Sequence, residues 1–196
     1  MDLYLDTPMS KAIFDLLSQL NEEIESQLSN ATKAGAVKAY VFGGCAVHMF
    51  TNARGSNDLD VEVEAAEKLD VHSLVLELDN VYFTDPNDGE MQLLMDDTFQ
   101  IGITPVVSPD YKNRAIPLNE GNQVLHTYLV SAVDIAVSKL SRCASGDVED
   151  ILAMYKKKRF TLDEFTEAAE EALEYTATPD SLRFDIDHVI LELKSV

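Results

Sequence analysis

Several residue types are scarce in this 196-residue chain, and each scarcity excludes a class of protein. It has no tryptophan and two cysteines, Cys45 and Cys143. Two cysteines are too few for a disulfide framework, so we expect a reducing, cytoplasmic setting. No apolar run approaches the roughly 20 residues that span a bilayer. The first residues also lack the basic stretch of a signal peptide, so we expect neither a membrane protein nor an exported one.

Basic residues are the scarcer of the two charged classes. Lys and Arg total 15 against 35 Asp and Glu, which gives a formal net charge of −20. Such a surface repels nucleic-acid phosphates unless its cations cluster, so duplex DNA is not an expected partner. The acidity either serves solubility, offers a face to a basic protein, or mimics nucleic acid. The one run of cations, residues 156–159, either complements the dipole of a helix C-terminus or contacts RNA or a partner protein.

Apolar residues are plentiful at 46%, enough to bury a core without disulfides. Their spacing predicts a long helix that begins after Thr7-Pro8 and ends near residue 29. Further helices are predicted at 46–51, 69–78, 132–141 and 148–157, and two more begin after Thr161 and after Thr178. Strands are predicted at 39–42, 58–64, 81–84, 91–95 and 99–104. The pattern therefore predicts an α+β protein, with a mixed core over residues 1–125 and a helical region over 126–196.

Two short motifs in the core carry residues suited to binding a nucleotide. Gly43 and Gly44 follow a predicted strand, and without a Cβ they let backbone N–H groups approach a phosphate closely. The start of the next helix adds a partial positive charge. Asp58 and Asp60 stand two apart on one predicted strand, so both carboxylates face the same way. Hard cations such as Mg²⁺ take carboxylate together with substrate phosphate oxygens. The alternative is a tight turn followed by an acidic, solvent-facing strand.

The first motif resembles a known family. Gly43-Gly44-x-Ala46, followed by Arg54-x-Ser56-x-Asp58-Leu59-Asp60, looks like the polymerase-β-type nucleotidyltransferase superfamily, in its AbiEii/MenT-like bacterial form. A second stretch resembles the family's helical segment, in which a lysine lies near the nucleotide phosphates; it contains Asp134, Lys139, Arg142, Asp147 and Asp150. The similarity covers about residues 38–152.

The resemblance implies a small mixed sheet with flanking helices, bound Mg²⁺ or Mn²⁺, and transfer of NMP from an NTP. It assigns catalysis and metal binding to Asp58 and Asp60. Nucleotide binding is assigned to Gly43, Gly44, Ser56 and Lys139. For Ser56 the alternative role is to pin its loop. For Lys139 the alternative is a lysine whose side chain reaches along the helix to the surface.

One expected feature is missing. The family usually has a third carboxylate on a neighbouring strand, but the matching segment 99–104 contains no acid, and Gln100 or Gly102 occupies the position. Glu62, Asp96 or Asp97 are the residues that can compensate.

Two functions follow from the resemblance. The first is an enzyme that modifies a tRNA or a protein acceptor, within a toxin–antitoxin or phage-defence system and with a basic protein partner encoded nearby. The second is a degenerate, antitoxin-like or regulatory binding protein that keeps the fold without turnover.

Overall fold

The computed structural model describes residues 2–28, 33–65, 69–99, 101 and 106–196, which form two compact units. The first contains residues 1–99 and 115–129, and the second contains residues 100–114 and 130–196. The predicted domain boundary after residue 125 stays a prediction. No helix in the described ranges is long and apolar enough to cross a membrane. The two cysteines are free thiols.

The first unit is organised by its N-terminal helix, α1 (Pro8–Gln27). Thr7 caps it as predicted, because its hydroxyl accepts a hydrogen bond from the Ser10 amide at 3.0 Å. The helix packs against α2 (Gly43–Thr51), α3 (Val71–Leu76) and strands of both sheets. Its buried face follows the helical spacing of the sequence and includes Met9, Ile13, Leu16, Leu20 and Ile24.

Two small sheets complete the first unit. One has four strands in the order β3 (Val61–Ala65), β1 (Val37–Val41), β7 (Leu125–Leu129) and β6 (Ile116–Asn119). The β1–β7 pair is parallel and the other two pairs are antiparallel. The second sheet has the order β2 (Asp58–Leu59), β5 (Gly89–Met95) and β4 (Val81–Asp85), with β2 parallel to β5. Mixed sheets flanked by helices confirm the predicted α+β class.

The acidic strand predicted at 58–64 is not continuous. Asp58 and Leu59 pair with β5, whereas residues from Val61 onward pair with β1 in the other sheet. The chain passes from one sheet to the other at Asp60, whose carbonyl accepts the Phe42 amide at 2.9 Å. The prediction that Asp58 and Asp60 share one unbroken strand is therefore wrong, although both remain at one point in the fold.

The second unit is a helical bundle. Four of its helices confirm predicted ones: α5 (Ala132–Leu140), α6 (Ser145–Lys156), α7 (Leu162–Ala172) and α8 (Pro179–Lys194). The short helix α4 (Tyr111–Arg114) was not expected from the sequence. A capping box formed by Thr161 and Glu164 begins α7, as the sequence indicates. Residues 125–129, expected to be helical, instead form β7, because pairing with β1 satisfies their backbone groups.

Buried carboxylates in this bundle are paired with cations. The Lys139 ammonium on α5 lies 2.7 Å from an Asp150 carboxylate oxygen and 3.5 Å from Asp147 on α6. Arg142 donates two hydrogen bonds to Asp147, at 2.6 and 2.7 Å. Two cations and two carboxylates thus neutralise one another. In the same unit, Arg114 forms a bidentate pair with buried Asp134.

The cluster also shifts the pKa of the Asp147 carboxyl. Burial by itself raises this pKa, but hydrogen bonds from Arg142 and the charge of Lys139 outweigh it, so the pKa is lowered. A lowered folded-state pKa contributes stability above the unfolded value and loses it as the pH falls through the folded value.

We predict that Lys139→Met lowers the free energy of unfolding by about 3–5 kcal/mol, because it leaves buried carboxylates without their cation. Urea unfolding measures the loss. Lys11→Met, at an exposed position of α1, is the control and should change stability by no more than about 0.5 kcal/mol. Equal effects of the two substitutions would contradict a structural role for the cluster.

Candidate functional site

The glycine pair and the second aspartate meet at the start of α2. Gly43 has φ of 61°, a backbone conformation that favours glycine. A Cβ at this residue would stand 1.6 Å from the Asp60 carboxylate oxygen Oδ2. Phe42, which precedes the helix, has no polar side chain to cap it. The Asp60 carboxylate therefore occupies the space over Gly43, at the positive end of the helix dipole.

The second glycine is equally confined. A Cβ at Gly44 would lie 2.7 Å from the Ser56 hydroxyl and 3.0 Å from an Arg54 guanidinium nitrogen. The loop between α2 and β2 thus folds its polar side chains back onto the first turn of α2. Ser56 also donates to the Asp58 carbonyl at 3.1 Å, which is the loop-pinning role. Its contact with a phosphate stays a prediction.

Asp58 has its backbone held and its side chain exposed. Its carbonyl accepts hydrogen bonds from the Cys45 thiol and the Ser56 hydroxyl, each at 3.1 Å, and the residue is exposed. Burial raises the pKa of the Cys45 thiol, and the charges of Asp60 and Asp58 raise it further. One thiol is therefore close to both carboxylates. The structure brings Gly43, Gly44, Ser56, Asp58 and Asp60 together at this point.

The acidic face of β3 is partly neutralised by its neighbour. Glu64 lies opposite Lys38 and Glu62 opposite Tyr40 in the antiparallel pair with β1. Burial and the charge of Glu64 raise the pKa of Tyr40 to about 12, so this phenol stays neutral. Opposite charges across a strand pair attract. Glu62 and Glu64 therefore face Tyr40 and Lys38 across the strand pair, whereas Asp58 and Asp60 lie before β3.

A further acid lies beside this pair. Asp96 follows β5, and its amide donates to the Leu59 carbonyl at 3.1 Å. The parallel register places Leu59 next to Met95, so the next residues along the two chains are Asp60 and Asp96. Asp97 lies 3.5 Å from the His72 ring instead. Residues 100 and 102–105, which include Gly102 and most of the predicted strand, lie outside the described residues.

His48 is a residue that the sequence did not single out as part of this arrangement. Its side chain is buried, and Nδ1 donates to the Arg54 carbonyl at 2.8 Å. Its Nε2 lies 2.8 Å from the Thr7 hydroxyl. The imidazole thereby ties the α2–β2 loop to the first turn of α1. A histidine four residues after Gly44 is the sole sequence signal, and it is too common to identify such a role.

Lys139, the predicted phosphate ligand, lies in the second unit. The alternative of a side chain that reaches the surface is contradicted, because Lys139 is buried in its cluster with Asp147 and Asp150. Its contact with a nucleotide stays a prediction.

The acidic residues fit a metal that binds together with its substrate. Within the described part of the chain, no group of three or more His, Cys, Asp and Glu side chains is arranged to hold a metal ion. Mg²⁺ typically takes one or two carboxylates and completes its shell with water and substrate phosphate oxygens. Asp58 and Asp60, one exposed and one over the helix start, match that donor set.

The chain can be compared with known proteins both by its sequence and by its structure. No curated protein matches the chain. The structure is similar to the crystal structure of an antigenic nucleotidyltransferase-like protein from Paracoccidioides brasiliensis, with a TM-score of 0.45, 15% sequence identity and 94% of each chain covered. Residues 15–187 match the family described as nucleotidyltransferase of unknown function (DUF6036). Because the match spans most of the sequence, the chain belongs to this nucleotidyltransferase family.

Proposed function

We propose that the chain is an enzyme that transfers NMP from an NTP to an acceptor hydroxyl. The observation that carries the proposal is the Asp60 carboxylate held over Gly43 at the start of α2. A helix N-terminus favours anions, and a metal ion held by this carboxylate would bind a substrate phosphate beside it. Family membership supports the same chemistry.

Each residue of the site has a distinct part in the proposed transfer. Gly43 and Gly44 leave room for Asp60, Ser56 and Arg54 at the helix start, and the proposed triphosphate binds beside these side chains. Asp58 and Asp60 are the proposed metal ligands; when bound, Mg²⁺ or Mn²⁺ neutralises charge that develops on the leaving pyrophosphate. The acceptor oxygen forms a bond to the α-phosphorus as the bond to pyrophosphate breaks, and a carboxylate takes the hydroxyl proton.

The proposed acceptor is a tRNA or a protein, and the proposed setting is a cytoplasmic toxin–antitoxin or phage-defence system. The net charge of −20 favours a basic protein partner, encoded nearby, because an acidic surface attracts one. The nucleotide contact of Lys139 remains part of this proposal.

We predict that the purified chain, incubated with labelled NTPs, Mg²⁺ and cell extract, labels an acceptor. Asp58→Ala/Asp60→Ala should abolish labelling while leaving the fold intact, because both side chains lie outside the buried core. Circular dichroism checks the fold. Labelling that persists in the double variant would place the site elsewhere.

We also propose that Asp96 is the third carboxylate, the proton acceptor that the segment 99–104 lacks. The β2–β5 register puts its backbone beside Leu59, and its carboxylate accepts hydrogen bonds from the Thr98 amide and hydroxyl. We predict that Asp96→Asn lowers kcat by about 100-fold or more, as expected for loss of general-base catalysis. Asp97→Asn is the matched control, since Asp97 pairs with His72, and it should leave kcat unchanged. Equal rates in both variants would exclude Asp96 as the base.

The second candidate function is a binding protein that keeps the nucleotide site without turnover. It is favoured by the absence of an acid in the sequence of segment 99–104. Binding of NTP and Mg²⁺ without transfer to any of many candidate acceptors would support it, whereas robust transfer would eliminate it.

A further inference from the structure

A cavity of about 500 Å³ lies in the second unit, where α6 ends and α7 begins. Its lining includes the rings of Tyr155 and Phe160, the apolar side chain of Leu162, and two lysines, Lys156 and Lys158. The two rings lie 5.7 Å apart at 42°. An apolar wall with cations at its edge suits a ligand that carries a planar group, which packs on the wall, and an anionic group, which meets the cations.

Lys158 occupies a backbone position at which glycine is usual. Its φ is 56°. Its amide bonds to the Tyr155 carbonyl at 2.8 Å, and the Arg159 amide bonds to the Met154 carbonyl at 3.1 Å. This is the Schellman arrangement that ends a helix, with the left-handed residue just past the cap. A lysine here is strained relative to glycine. The left-handed backbone at Lys158 therefore costs some stability, and the same residue lines the cavity.

The two lysines carry charge that the described residues do not neutralise. Lys156 and Lys158 are exposed, and neither makes an ion pair within the described ranges. By contrast, Lys139, Arg114 and Arg142 are paired with aspartates. In a chain with a net charge of −20, a polyanion is repelled elsewhere and can approach where cations cluster.

We propose that this cavity binds a nucleotide of single-stranded RNA, with its base against Tyr155 and its phosphate between Lys156 and Lys158. The aromatic wall favours RNA over an acidic protein segment, because every base has a face that stacks on a ring. The inference goes beyond nucleotide transfer and does not depend on it, since the cavity binds RNA whether or not the site at Asp58 and Asp60 turns over.

Binding of a fluorescein-labelled, unstructured 12-nucleotide RNA, measured by anisotropy, tests the proposal. Lys158→Gly should weaken binding by about 10-fold and at the same time raise the thermal unfolding midpoint by about 2–4 °C, because it relieves the left-handed strain. If Lys158 had only a structural role, its substitution by glycine would raise the unfolding midpoint without weakening RNA binding. Tyr155→Leu keeps an apolar side chain and should weaken binding by about 5-fold or more through lost stacking.

The control is Lys11→Gln/Lys33→Gln, which removes two exposed lysines in the first unit. It should leave the RNA affinity within about 2-fold of the unsubstituted protein, a change that the loss of long-range attraction accounts for. Lys156→Gln/Lys158→Gln removes the same charge at the cavity and should lower the salt dependence of log K by roughly 1.4. Absence of RNA binding by the unsubstituted chain, or equal losses in both double variants, would overturn the proposal. Polyglutamate that binds as tightly as RNA, with an affinity that Tyr155→Leu leaves unchanged, would also overturn the proposal. That result would identify an acidic protein segment as the occupant.

Discussion

The site depends on one contact, that of the Asp60 carboxylate with the backbone of Gly43. Any side chain at residue 43 would occupy the space of that carboxylate, and the left-handed backbone at Gly43 lets α2 begin directly after β1. The carboxylate in turn compensates the dipole of a helix that has no polar cap. Chain path, helix start and carboxylate position therefore meet at this one point.

The same point joins the two sheets. Leu59 belongs to the sheet of β5 and Val61 to the sheet of β1, so Asp60 stands where the chain leaves one for the other. Hydrogen bonds fix both sides of it, from the Phe42 amide to Asp60 and from the Asp96 amide to Leu59. This crossing brings Asp58 and Asp60 to one place, with the backbone of Asp96 beside Leu59. A single straight strand would space its acids along its length instead.

Much of this could be predicted where the signal is local. The Thr7 cap, the glycines after β1 and the capping box at Thr161 are read from neighbouring residues, and all three are present. Strand β7 could not be predicted, because its partner β1 lies about 90 residues earlier in the sequence and its pairing is a tertiary effect. The break at Asp60 could not be predicted for the same reason. The alternation of Leu59, Val61 and Val63 predicts a strand but does not show which sheet each residue joins. The pairing of Lys139 with Asp150 depends on how α5 and α6 pack, which spacing alone does not give.

Carboxylates are prominent in both units. In the second unit, buried carboxylates meet their own cations, as Asp134 meets Arg114 and Asp147 meets Arg142. Asp58 and Asp60 lie together in the first unit, and the proposed ligand there is a divalent cation with a triphosphate. The most direct measurement is the thermal unfolding midpoint with and without Mg²⁺ and NTP. The account predicts a rise of roughly 5–10 °C at 100 times Kd, lost in Asp60→Asn and kept in Glu64→Gln, which removes a charge opposite Lys38. A rise that survives intact in Asp60→Asn would contradict the account.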